Sequence, residues 1–189
     1  MDRSSPNSVA LSAQGVREWW LRVVLVVQAP RAVFVALRAD DRDSAANRSE
    51  QVLLIVLLAG MALALASTAS KGYDGLDLAV WLFLGGGMTG IAAYWAFGAI
   101  LYGAGRALGS QGSYRRSRHV LAFACVPLAL ALAIGPAGRH IYTTLWIVFV
   151  AWATGLLVIG VRAVHGWSWA RAVAVSAVPV AVAIGLLQI

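Results

Sequence analysis

Charge is what this 189-residue sequence has least of: 12% of its residues are Asp, Glu, Lys or Arg, while 60% are apolar. A soluble domain carries roughly twice that charged share. A water-soluble fold of this length could not bury so much apolar surface. An ordinary cytosolic enzyme and a disordered chain are therefore both excluded. Cysteine occurs once, at Cys125, so a disulfide-stapled secreted domain is excluded as well. The sequence has no Cys/His cluster with metal-ligand spacing, and no cofactor is expected. Lysine also occurs once, at Lys71, so the net charge of +7 comes from 14 Arg set against eight acids. So strong an Arg bias points to a GC-rich, bacterial coding sequence. Residues 1–15 are polar and lack the apolar core of a secretory signal peptide.

What is present is a set of long windows without charge. Residues 51–70, 78–105, 119–138, 140–161 and 172–189 contain no Asp, Glu, Lys or Arg. A bilayer core needs about 20 helical residues. In lipid the backbone must satisfy its own hydrogen bonds, which makes each window a helix. The expected fold is an all-α integral membrane protein, with five spans near 51–69, 79–103, 120–136, 141–161 and 172–188. The second window exceeds the need, so its helix tilts or runs on past the lipid. Arg and Lys number 13 in the N-terminal segment and the loops 106–118 and 162–171, against Lys71 and Arg139 on the other side. That asymmetry puts the N-terminus in the cytoplasm and the C-terminus outside, in a bacterial cytoplasmic membrane.

Two regions follow: a cytoplasmic segment, 1–50, and a five-helix membrane domain, 51–189. The segment holds 13 of the 23 charged residues. Within it Val16, Trp19, Trp20, Val23, Val24 and Val27 recur at helical spacing on one face. Such a stripe suits either a helix lying on the membrane surface or one packed against the cytoplasmic ends of the spans. Gln28-Ala29-Pro30 breaks that helix, and Pro30 opens a second one through Leu37. Asn47-x-x-Glu50 resembles a capping box before the first span.

The chain also echoes itself. Ala122-x-x-x-Val126-Pro127-x-Ala129-x-Ala131 recurs 52 residues on as Ala174-x-x-x-Val178-Pro179-x-Ala181-x-Ala183. Ser113-Tyr114-x-Arg116 is matched by Ser168-Trp169-x-Arg171. Chance matching among abundant Ala and Val is the alternative to a true repeat of two hairpins. Helix kinks are expected at Pro127 and Pro179, because each proline removes a backbone donor. Spans three and five are expected to meet at the bundle centre there. Gly86 and Gly90 form a GxxxG, read as a packing face.

Chemistry is thin by comparison. Transporters and proton relays carry ionisable groups in the membrane, and here only His119 and His140 stand at window edges. Asp74 and Asp77, beside Lys71, read as a solvated loop rather than an acid pair. Gly109-Ser110-Gln111-Gly112-Ser113 lacks the Gly-Lys-Ser/Thr ending of a P-loop and follows a helix. Nucleic acid is not expected as a partner, since the basic residues follow the positive-inside pattern. The candidate binding residues are Arg106, Arg115, Arg116, Arg118, Arg162 and Arg171, with Tyr114, Trp167 and Trp169 beside them. The two loops hold these six Arg and no acid. They suit anionic lipid headgroups or an acidic protein partner; the plainer reading is that they only fix topology.

The ordered features resemble a known family. Pro30-Arg31-Ala32-Val33-Phe34-Val35-Ala36-Leu37-Arg38 resembles the amphipathic lead-in of Yip1-domain proteins of the bacterial type. Leu108-Gly109-Ser110-Gln111-Gly112-Ser113-Tyr114 is similar to their Gly-rich turn between spans two and three, and Pro127 follows at the expected place. Gly160-Val161-Arg162-Ala163-Val164-His165-Gly166-x-Ser168 is similar to the turn before the last span. The resemblance covers roughly residues 28–189 and implies a five-span membrane protein without a known catalytic site. Eukaryotic relatives act in vesicle traffic and contact prenylated small GTPases, a partner not carried over to this short N-terminal segment. Three functions are then in competition. The first is a non-enzymatic scaffold or adaptor, with homo-oligomers admissible, that organises lipids or proteins from its cytoplasmic face. The second is a pore or carrier for a small solute, and the third is a membrane enzyme.

Overall fold

The computed structural model describes residues 20–39, 49–68, 75–137 and 139–186. Among these every regular element is helical. Helix α1 covers 20–28 and α2 Pro30–Ala39, with Pro30 at the first helical position. Helix α3 is Ser49–Thr68, and α4 runs Gly75–Ala107 with a π-helical stretch at Trp81–Met88. Helices α5 (Tyr114–Ala124) and α6 (Val126–Ala131) follow, then a 3₁₀ turn at Leu132–Ala137. The long α7 is Arg139–His165 and α8 is Trp169–Leu186. Three helical stretches are long and apolar enough to cross a membrane: Gly75–Ala107, Tyr114–Gly135 and Thr144–His165. Val52–Ser67 and Trp169–Ala183 are shorter apolar helices.

Among the described residues each apolar window is helical, but the helix ends do not coincide with the window ends. Helix α5 starts at Tyr114, inside the basic loop, because Ser113 caps it there. Ser113 is extended (φ −84°, ψ 154°), and its hydroxyl accepts from the Arg116 N–H at 3.3 Å. Helix α4 ends just before, on a left-handed Gly109 (φ 86°). The Ser110 N–H bonds the Gly105 carbonyl at 2.9 Å and the Gly109 N–H that of Arg106 at 3.0 Å, a Schellman ending. Gly166 (φ 67°) ends α7 similarly, its N–H on the Arg162 carbonyl at 2.8 Å.

The expected bend near Pro127 falls at Cys125, which leaves the helix at φ −80°, ψ −2°. Pro127 has no N–H to offer the Phe123 carbonyl, so the chain restarts as α6. Pro179 lies inside a continuous α8. The two echoed prolines thus differ locally, although Ser113 and Ser168 both stand immediately before a helix start.

Packing follows the small residues. The GxxxG of α4 meets α3 at Gly60. A Cβ on Gly60 would fall on the Gly86 carbonyl oxygen and 2.8 Å from the Gly90 Cα. One on Gly86 would lie 2.6 Å from the Ala64 Cβ. Backbones this close are what GxxxG faces provide. On the other side of α3, the Tyr142 hydroxyl of α7 donates to the Ala62 carbonyl at 2.7 Å. Helices α3, α4, α8 and α7 pack in that order around a ring that the α5–α6 pair closes, with α5 on α4 and α7. Helix α8 rests on α4 and α7, and α6 rests on α3 and α7. The α5–α6 pair and α8, expected to meet at the bundle centre, face each other across the ring. An apolar cavity lies between them, lined by Leu121, Cys125 and Leu128 on one side and Pro179, Val180 and Ala183 on the other.

The N-terminal helices join this core. Val33, Phe34 and Leu37 of α2 are buried, and α2 packs on α7. The face of α1 differs from the stripe read in the sequence. Val26 is fully buried and Val23 packs against the core, while Trp20, Val24 and Val27 are exposed. Val16 and Trp19 lie outside the described residues. The difference has a physical origin: α1 has apolar residues on most of its circumference, so one side can enter the bundle and still leave an apolar side facing out.

Candidate functional site

One end of the bundle gathers the α4–α5 loop, the α7–α8 loop and the C-terminal end of α2. Arg116 Nη2 donates to the Arg38 carbonyl at 3.1 Å, placing a cation where the dipole of α2 ends. The Ser110 hydroxyl lies 3.1 Å from His165 Nδ1 and accepts the Gly112 N–H at 3.0 Å. Arg106 Nη1 reaches the Ser110 carbonyl at 3.3 Å. The Gly-rich stretch thus serves to seat Ser110 under His165. A Cβ on Gly112 would come within 2.8 Å of the His165 ring. These contacts place three Arg-bearing segments, widely separated in sequence, on one face.

Arg118 is the most constrained cation of the set. Its guanidinium carbon stands 3.6 Å from the Trp95 ring centroid, 4.6 Å from Tyr114 and 5.3 Å from Tyr94. The Tyr114 hydroxyl donates to the Trp95 carbonyl at 2.9 Å and so fixes one wall of the box. Gly98 makes the other wall possible, because a Cβ there would collide with Arg118 Cγ. Arg118 Nε is buried with no hydrogen-bond partner. Stacking of a partly desolvated Arg on aromatic faces is worth about 2 kcal/mol, but it leaves the in-plane N–H edge of the guanidinium to find an acceptor. The loops and α5 contain no acid, and Asp77, the carboxylate among the described side chains, is at the opposite end of α4. The acids at 40, 41, 43 and 50 lie outside the described side chains.

A second stack sits at the same end, with the Arg162 guanidinium 4.2 Å over the exposed Trp169. Arg162 Nε too is buried without a hydrogen-bond partner. Trp167 is half-buried and stacks on His165 at 4.6 Å. Arg115 and Arg171 are exposed. The structure thus brings Arg106, Arg116 and Arg118 into defined contacts, and pairs Arg162 with Trp169. Three participants were not singled out from the sequence: Tyr94, Trp95 and Arg38.

The cavity within the ring measures about 310 Å³ and is lined by α3, α4, the α5–α6 pair, α7 and α8. Its wall is apolar but for Tyr94, Cys125, Thr154 and the indole N–H of Trp146, and the Thr154 hydroxyl is already bonded to the Val150 carbonyl at 2.9 Å. The volume is about twice that of an engineered apolar cavity, roughly 150 Å³, that stays dry and takes benzene. Of the hydroxyls in the apolar helices, Thr89 faces outward and Ser176 is buried off the cavity wall, so neither offers a polar path through it. Asp74 lies outside the described residues, as does the side chain of His140. Among the described residues no group of three His, Cys, Asp or Glu could hold a metal.

Neither the curated proteins nor the solved structures yield a significant match. A family model described as the Yip1 domain matches residues 24–189, which takes in α2, every apolar helix and both loops that form the arginine face. The chain belongs to the Yip1-domain family.

Proposed function

We propose that this Yip1-family protein is a non-enzymatic five-span scaffold or adaptor. Its cytoplasmic face gathers anionic lipids, or the acidic surface of a partner, through Arg106, Arg115, Arg116, Arg118, Arg162 and Arg171. The observation that carries this reading is the aromatic box around Arg118: a guanidinium held in place, partly desolvated, in loops that supply no acid. A phosphodiester fits that need, because it presents paired oxygens to the planar edge of Arg. The exposed Trp169 belongs at headgroup depth. The two short apolar helices complete the five crossings, which returns both Arg-bearing loops and the N-terminal segment to one side.

Two outcomes are expected. A reporter fused after Ile189 is active only outside the cytoplasm; activity inside would mean a different number of spans or the opposite orientation. Purified protein offered equal amounts of an anionic and a zwitterionic phospholipid retains the anionic one preferentially, as counted by native mass spectrometry. Equal retention would reject the headgroup reading.

A further inference from the structure

We infer that the cavity inside the ring is a binding site for one acyl chain of a membrane phospholipid. The cavity runs along the bundle. On α7 its wall runs from Trp146 to Leu157, ~16 Å at 1.5 Å per residue. On α3, α4 and the α5–α6 pair the wall spans eight residues, about 10 Å, which is room for a segment of a hydrocarbon chain. The wall is almost wholly apolar, and its Thr154 hydroxyl is bonded within its own helix, so water finds few partners there. The medium around these helices is hydrocarbon, and a chain drawn from it restores the contacts that bare walls forfeit. The cavity is not sealed: Leu63 and Val150 line it and are 42% and 39% exposed. The break at Cys125 helps make the space, because the chain restarts there as α6 and spans three and five are held apart. Chain binding stands independently of the headgroup reading. Tyr94 links the two sites, with its ring both in the cavity wall and beside Arg118.

The sole cysteine lies in this wall and provides the readout. Full-length protein is reconstituted with phosphatidylcholine, or separately with phosphatidylglycerol, carrying a diazirine near the end of one acyl chain. After irradiation the adducts are mapped by peptide mass spectrometry. Adducts on Cys125 and on neighbouring wall residues such as Leu121 and Val180 are expected with both lipids. Adducts confined to outward positions such as Leu84, Ile147 and Val148 would overturn the inference. Filling the space with Ala153→Phe should cut Cys125 labelling at least fivefold and leave labelling of Ile147 unchanged; undiminished Cys125 labelling would also overturn it. Should that variant fail to fold, the wild-type map decides. Arg118→Gln separates the two sites: Cys125 labelling that persists in this variant supports the cavity even if the headgroup preference fails.

Discussion

Replacing Gly60 with leucine is expected to abolish the folded state in mild detergent. The obstruction at this position is backbone: the Gly86 carbonyl oxygen and the Gly90 Cα occupy the space a side chain would need. No rotamer of a neighbour relieves such a clash, so the cost exceeds the roughly 1–3 kcal/mol usual for overpacking. Helices α3 and α4 would have to separate, and with them one wall of the ring. Gly103→Ala is the control. Nothing lies within 4 Å of a Cβ there, and the change gains up to about 1 kcal/mol of helix propensity. Thermal unfolding followed by size-exclusion chromatography should show aggregation or a loss of at least 10 °C for Gly60→Leu, and no loss for Gly103→Ala. A monodisperse Gly60→Leu protein with wild-type thermal stability would contradict the described α3–α4 contact.

The second large effect is on lipid affinity. Arg115, Arg116 and Arg118 changed together to Gln remove three charges, each worth on the order of 1 kcal/mol beside an anionic leaflet. Affinity for anionic lipid should fall by about a hundredfold, with zwitterionic binding unaffected. Orientation should persist, because the N-terminal segment keeps its seven Arg. Arg118→Lys alone should be intermediate, since an ammonium keeps the charge but not the flat stacking on Trp95. Lipid titration followed by native mass spectrometry reads both. Unchanged anionic affinity in the triple variant, with topology intact, would leave these residues only an orientation role.

The apolar helices were legible because lipid forbids charge, and the charge-free windows mark where lipid lies. The helix ends were not legible in the same way, since a membrane boundary is not a helix boundary. Helix α5 takes in Arg115 to Arg118 ahead of its charge-free stretch, and the Ser113 cap sets its start. The GxxxG at Gly86 and Gly90 was legible as packing, but its partner Gly60 was not, because a single glycine carries no spacing signal. The Arg118 box was half visible. Arg118 and Tyr114 stood out in the basic loop; Tyr94 and Trp95 were lost in an apolar window. Counting back from the 108–113 loop puts Arg118 opposite Gly103, about 13 Å along α4 from Tyr94, so the register that forms the box had no signal in the sequence. The cavity had no local signature at all, because it arises from where five helices leave off packing.

The most direct measurement is of the lipids the protein carries out of its own membrane. Wild-type protein and the Arg115, Arg116 and Arg118 triple Gln variant would be extracted in mild detergent and affinity-purified, and bound phospholipids quantified against the membranes they came from. The arginine face predicts anionic phospholipid enriched on the wild type and reduced to the membrane ratio on the variant. Wild-type protein carrying lipids at the membrane ratio would contradict it.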